Sequence, residues 1–534
     1  MTAPTGQDAK ILPSPAAIPP FGLRTITGCL GMLLAVHVAG FNEHVTELGL
    51  SDLRGAMHLG HDEGTWFISV YEAFNIAAMA FTPWFYMTFS IYRFALFMTA
   101  ALALLSLPLP FMTDMVSIGI LRAMQGLSAG CLPPILMTVM LKYLPPPLKV
   151  FGIGGYAMSA TFGPNLGIPF EALLFERFGW HWLYWEVLPL GAVALVMIAW
   201  GLPQDPVQLS RFRGFNWRGF LIGAPSILCI VTVFYQGDRL DWFRSPLITH
   251  LTFWGGAFFL GFLIHEWHHH SPFFRLQYWK SRNITMSLLA LVAVLIVCAL
   301  MNEVTTTFLE EIKGYRPIQA APVALTVALP QLVVLPLVAA LCNMRRVDCR
   351  WVLGIGMTLL GLSAWLGLGL TSEWVRDNFY LIQALQIFGQ PMVVIPVLML
   401  ATLALGPSDG PFISGMVNML KGMANALAFA LFSILLRRRE QYHSTMLLDH
   451  PGMAHDPYGA DVAGRLHEML SAQALVLALV DILLVVVVIC AVFVVLTAIL
   501  PGRVYPPGKA PADRGSPLSA PPVLQAVPSS LAAQ

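Results

Sequence analysis

An all-α polytopic membrane protein is the fold class this sequence predicts, and three observations predict it. Of 534 residues, 57% are hydrophobic and only 11% charged, and the mean hydropathy is +0.70. A soluble globular chain carries about a quarter charged residues, so apolar content this high belongs in lipid. Fourteen stretches approach the roughly 20 apolar residues that a helix needs to cross a bilayer. Thirty basic residues against 29 acidic leave a net charge of +1, which gives nucleic acid no basic surface to bind. Seven cysteines lie mostly inside apolar runs without CxxC spacing, so neither a disulfide framework nor a zinc ribbon is expected.

In chain order the predicted spans lie near 25–45, 65–87, 94–112, 116–142, 150–173, 183–202, 218–235, 247–265, 283–302, 319–341, 351–370, 378–405, 413–436 and 474–499. Merging or losing a pair would leave twelve. Residues 1–24 read as a cytoplasmic tail, because no basic n-region and cleavage site stand in signal-peptide order. The segment 501–534, rich in Pro, Ala and Ser, reads as disordered and cytoplasmic. The one sizeable hydrophilic insertion, 437–472, reads as an extracytoplasmic loop. With the N-terminus inside, cytoplasmic segments hold 17 Lys and Arg, the opposite side 11, and two (Arg122 and Lys421) fall within spans. That bias predicts both termini in the cytoplasm. Arg437, Arg438 and Arg439, placed outside, run against it.

Charged side chains at mid-bilayer cost about 2.5–3.5 kcal/mol on insertion scales and are functional candidates by default. Span 1 ends in Asn42-Glu43-His44, with Glu47 one turn on. Glu43 and Glu47 are four apart and share a helix face. Two carboxylates that close resist double ionisation, so the pair is suited to holding one proton. The plainer reading ends span 1 near Gly40 and leaves both in water. Glu72 in span 2, Arg122 in span 4, Lys421 in span 13 and Asp481 in span 14 complete the candidates. A buried guanidinium at Arg122 wants a carboxylate or carbonyls; Glu72, with Tyr71 and Asn75 beside it, is a candidate clamp partner. For Lys421 and Asp481, simple interior pairing competes with transport chemistry. In span 5, Gly155, Ser159, Gly163 and Gly167 form a small-residue stripe that permits close helix contact. Pro164 within the stripe bends the helix.

A rival from another class rests on His265-Glu266-Trp267-His268-His269, which fits the H-E-x-x-H pattern of zinc proteases. The run is simply His-rich, Pro272 follows within three residues, and no third ligand is evident by spacing. The start of a solvated loop is therefore expected, with no metal site and no cofactor.

Several stretches are similar to motifs of the major facilitator superfamily, in particular its fourteen-span drug:proton antiporters of the EmrB/QacA type. Phe41 to Ser51 resembles the span 1 signature L-D-x-T-I-V-N-V-A-L-P, with Asn42 where the family has aspartate and Glu47 where it has asparagine. Leu121-Arg122-Ala123-Met124-Gln125-Gly126 matches the span 4 motif R-x-x-Q-G. Gly163-Pro164-Asn165-Leu166-Gly167 resembles the antiporter motif G-P-x-x-G-G, with Ile168 replacing the last glycine. Trp180-His181-Trp182, Phe215-Asn216-Trp217 and Gly314-Tyr315 resemble W-R-W, F-D-W and G-Y-S of relatives. The loop after span 2 departs: Pro83 to Ser90 has neither the glycine nor the aspartate of G-x-L-x-D-x-x-G-R, a cytoplasmic latch in the family.

The resemblance implies the major facilitator fold. Residues 25–202 would form an N-terminal six-helix bundle, 203–282 two linker spans, and 283–500 a C-terminal six-helix bundle. It implies a non-enzymatic carrier in a bacterial inner membrane that exchanges protons for a small lipophilic substrate, working by alternating access around a mostly apolar cavity. Glu43, Glu47, Glu72, Arg122 and Asp481 are the proton-coupling candidates. Asn42, Gln125, Gly126, Gly163, Pro164, Gly167 and Lys421 are the cavity or gating candidates. Some relatives add a periplasmic adaptor and an outer-membrane channel. A same-fold carrier of another solute, such as an importer, is the alternative that the degraded latch motif keeps open.

Overall fold

The computed structural model describes residues 21–48, 61–344, 346–402, 409–448 and 460–499, and among them the regular structure is entirely helical. The two terminal tails, including 501–534, lie outside the described residues. The N-terminal half contains α1 (Leu23–Leu48), α2 (His61–Phe89), α3 (Ile91–Ser106), α4 (Met115–Gly130), α5 (Leu132–Tyr143), α6 (Lys149–Met158), α7 (Phe162–Phe178), α8 (His181–Trp185) and α9 (Val187–Gly201). Two helices follow, α10 (Trp217–Gln236) and α11 (Pro246–His268). The C-terminal half contains α12 (Arg282–Thr307), α13 (Pro317–Asn343), α14 (Cys349–Gly367), α15 (Phe379–Thr402), α16 (Gly410–Leu448) and α17 (Ala460–Ile499).

Twelve helical segments among the described residues are long and apolar enough to cross a membrane. The 29-residue α2 and the broken pair α6–α7 occupy the two remaining expected spans. The breaks have local causes. Pro133 and Pro134 bring no amide hydrogens to the first turn of α5, so the fourth span divides into α4 and α5 at Cys131. Pro164 likewise fits the first turn of α7, and the chain between α6 and α7 leaves helical geometry at Thr161 (φ −124°, ψ −58°). The expected bend is thus an interruption. Asp114 caps α4 by accepting from the Ser117 amide at 2.9 Å, and Asn216 caps α10 from the Gly219 amide at 2.9 Å. Ser90, between α2 and α3, takes φ 82°, a setting that favours glycine.

Helix α1 packs on α9, α2 on α4, α14 on α15 and α17, and α12 on α16. Helices α10 and α11 pack on each other, and α10 also touches α2 and α16, so the inserted pair joins both halves from the side. Helix α11 turns Phe253, Trp254, Leu260 and Ile264 outward. Such a continuous apolar face fits a lipid-facing surface. Helix α16 runs on through Leu448 and α17 begins at Ala460, so helix occupies much of the segment 437–472 read as a loop.

The two halves close on each other at one end. Ser414 Oγ donates to the Pro134 carbonyl at 2.7 Å, and Tyr156 Oη to Asn418 Oδ1 at 2.8 Å. Gly415 lets the α16 backbone lie against Pro83; a Cβ there would sit 2.7 Å from the proline ring. Toward the other end, where α1 and α12 terminate, the halves part.

Candidate functional site

Between the halves lies a cavity of about 340 Å³. Its walls come from α1, the α6–α7 break, α10, α12 with the π-turn Phe308–Ile312 that follows it, α15 and α16. Glu43, Gly163, Pro164 and Lys421 line it, together with Asn165 and Gln390. The vestibule expected to be mostly apolar is instead charged: Glu303, Glu310 and Glu311 also face it.

The α6–α7 break shapes one wall. The Ser159 carbonyl lies at the interruption and accepts from Lys421 Nζ at 2.9 Å. The Thr161 carbonyl accepts from Asn165 Nδ2 at 2.6 Å. A proline-induced break therefore supplies backbone acceptors that a lysine from the other half reaches. Lys421 is also within electrostatic reach of Glu43. An ammonium in low dielectric requires such partners. Asn165 Nδ2 contacts Gln390 Oε1 at 3.2 Å, adding a second link across the halves. Gln390 continues into a buried amide chain, accepting from Gln331 at 2.8 Å and donating to Gln386 at 3.0 Å.

Arg122 lies behind this cavity in the N-terminal half, only 1% exposed. Its Nη1 donates to the Asn42 carbonyl (3.3 Å), Asn42 Oδ1 (3.2 Å) and Gln125 Oε1 (3.2 Å). Its guanidinium sits 4.3 Å from the centroid of the Tyr71 ring, a cation–π arrangement. Tyr71 is within electrostatic reach of Arg122, Glu43, Glu72 and Glu171, so the charges of α1, α2, α4 and α7 converge here. Gly126 makes the convergence possible, because a Cβ there would collide with the Tyr71 carbonyl. Asn42, standing where the family has aspartate, is thus a neutral ligand of Arg122. Glu72 is buried and accepts from Asn75 Nδ2 at 3.3 Å. The Glu47 side chain lies outside the described residues.

The remaining candidates stand elsewhere. Gln125 and Gly167 are buried within the N-terminal half, Gln125 donating to Ser106 Oγ at 2.9 Å. Asp481 sits between α16 and α17, with Arg439 Nε and His443 Nε2 each 2.6 Å from Oδ2. In the H-E-x-x-H run, Glu266 is fully buried and accepts from the Phe273 and Phe274 amides and from Asn216 Nδ2 at 2.7 Å. His265 Nε2 meets Asn216 Oδ1 at 2.8 Å. These side chains hold the turn after α11 to the start of α10, and no group of three metal-ligating side chains occurs among the described residues.

Sequence reasoning missed Glu171 and Glu186, buried carboxylates inside or at the edge of predicted spans. The criterion that singled out Glu72 would have found them. Glu303 was missed because span 9 was ended at 302, whereas helix continues to Thr307. The amides Gln331, Gln386 and Gln390 carry no charge and escaped a search for charged groups.

A sequence model described as the Major Facilitator Superfamily matches residues 32–429. The chain is 22% identical over 419 residues to the probable multidrug resistance protein EmrY of Escherichia coli K12, covering 78% of this chain and 81% of that one. It is 22% identical over 421 residues to the colistin resistance protein EmrB of Acinetobacter baumannii, with 78% and 81% covered. Among solved structures, the human organic anion transporter MFSD10 superposes with a TM-score of 0.54 at 13% identity, covering 88% of this chain and 99% of that one. That likeness is one of fold.

Proposed function

The chain belongs to the Major Facilitator Superfamily, and on that footing we propose that it is a proton-coupled efflux carrier, exporting drugs or other lipophilic small molecules by alternating access. The relatives named as multidrug and colistin resistance proteins support the export reading. One observation carries the mechanism: Glu43 and Lys421, from opposite halves, meet in one cavity with the Ser159 carbonyl.

In this reading, ionised Glu43 helps hold the Lys421 ammonium against Ser159. A proton on Glu43 removes that attraction and loosens the tie between the bundles, which biases a two-state equilibrium. Arg122 orders this end of α1 through Asn42 and tunes the carboxylates around Tyr71. Bundles 25–202 and 283–500 are the moving bodies, with 203–282 between them. With both termini cytoplasmic, the cavity faces outward and the Ser414–Pro134 closure faces the cytoplasm. A bacterial inner membrane is the setting, and a periplasmic adaptor with an outer-membrane channel would extend the route. The missing latch motif at Pro83–Ser90 favours, as a second reading, a carrier of another solute on the same fold.

The test is uptake of a fluorescent substrate into inverted vesicles with and without a pH gradient. Arg122→Ala and Glu43→Gln should abolish gradient-driven uptake, while His265→Ala should leave it intact. Wild-type uptake that persists after the gradient is collapsed would remove the proton from the mechanism.

A further inference from the structure

The central cavity holds an imbalance of charge and one buried polar atom without a partner. Glu43, Glu303, Glu310 and Glu311 line it, against the single ammonium of Lys421. That lysine offsets at most one of the four carboxylates and is itself committed to the Ser159 carbonyl. His37, on α1 six residues before Glu43, also lines the cavity and is 7% exposed. Its Nδ1 lies 2.8 Å from the Leu33 carbonyl. A carbonyl only accepts, so Nδ1 carries the ring proton and Nε2 of the neutral ring holds a lone pair. Nε2 is buried with no hydrogen-bond partner. Phe41 and Phe162 set their rings at an angle to the imidazole at 6.4 and 5.5 Å, which fixes its plane. A flat apolar wall is also present: Tyr235 and Phe429 line the cavity and stack with centroids 4.7 Å apart.

We infer that this cavity takes an organic cation bearing N–H donors, a protonated primary or secondary amine with an apolar or aromatic body. It does so in preference to a quaternary ammonium ion or an organic anion. The inference rests on the exporter reading of the same cavity and adds the substrate class. Excess carboxylate concentrates cations and repels anions. Charge alone does not separate an amine from its permethylated analogue, whereas the His37 lone pair does. An N–H satisfies Nε2; a methyl group leaves it buried and unpaired, the costly outcome for a polar atom. The Tyr235–Phe429 wall receives the apolar body. His37 is thus a specificity-determining residue, with the carboxylates providing the field.

The experiment titrates the purified full chain in lipid nanodiscs by calorimetry at neutral pH. The probes are phenylbutylammonium, its N,N,N-trimethyl analogue and phenylbutanesulfonate, which share one apolar body. The primary amine is expected to bind about tenfold more tightly than the trimethyl analogue, the scale of one hydrogen bond to a charged donor. The sulfonate should bind weakest. His37→Phe should bring the two cations to similar affinity by weakening the amine alone. The double variant Glu310→Gln with Glu311→Gln should weaken both cations together. Equal wild-type affinity for amine and trimethyl analogue, or tighter sulfonate binding, overturns the inference, and this comparison needs no variant to fold. An amine preference in nanodiscs without pH-driven transport in vesicles sinks the exporter reading and leaves the cation assignment standing. Gradient-driven transport of all three probes without preference does the reverse.

Discussion

Lys421 Nζ lies 2.9 Å from the carbonyl oxygen of Ser159, so a side chain of the C-terminal half closes on a break in a helix of the N-terminal half. The break follows from Pro164, and the lysine was flagged only as a lone charge within an apolar span. Their meeting turns two unremarkable features into one contact across the interface that alternating access must open.

Lys421→Met should lower the rate of pH-driven transport in proteoliposomes by about tenfold or more, the scale of a lost charge-assisted hydrogen bond. Lys421→Arg, which keeps charge and donors, should retain part of the activity. Full activity in Lys421→Met would show that the contact is dispensable.

Gly126→Ala places a methyl group against the Tyr71 carbonyl. Backbone on both sides leaves little room to yield, so a loss of about 2 kcal/mol or more is expected. Thermal unfolding of the purified protein, followed by tryptophan fluorescence, measures it.

Ser90→Gly should act in the opposite direction. The φ of 82° is strained for serine and free for glycine, so a gain of about 1 kcal/mol is expected, seen as a higher melting temperature. An unchanged or lower melting temperature would mean that the Ser90 side chain contributes more than its backbone costs.

Glu266→Gln exchanges one of the acceptors facing Asn216 and the Phe273 and Phe274 amides for a donor. Destabilisation of about 1–3 kcal/mol is expected. Bound zinc, measured by elemental analysis, should be the same in wild type and variant. Zinc bound by the wild type and lost in Glu266→Gln would revive the metalloprotease reading.

The helical spans were legible because a bilayer leaves the backbone few alternatives: each crossing must be a helix of sufficient apolar length. That constraint is local, so hydropathy alone placed segments such as α12 and α14. Termini of spans were less legible, since a helix extends past the apolar stretch wherever neighbours shelter it. Ending the ninth span at 302 cost the reading Glu303 and, beyond it, Glu310 and Glu311. Arg122 stood out by cost alone, but its partners did not: Asn42 is 80 positions away in sequence. Gln390 and Gln331, 59 positions apart, gave no signal because neutral amides are common in any helix.

By itself, then, the order of residues settled that this chain is a bundle of membrane helices, that the sixth-to-seventh helix junction is weakened by Pro164, and that a few charged groups lie at hydrophobic depth. Which of those groups share a cavity was decided by the packing of helices from both halves. Hydropathy and helix propensity act over one turn or one span, whereas the meeting of Glu43 with Lys421, or of Arg122 with Asn42, depends on contacts between segments that only the folded bundle brings together.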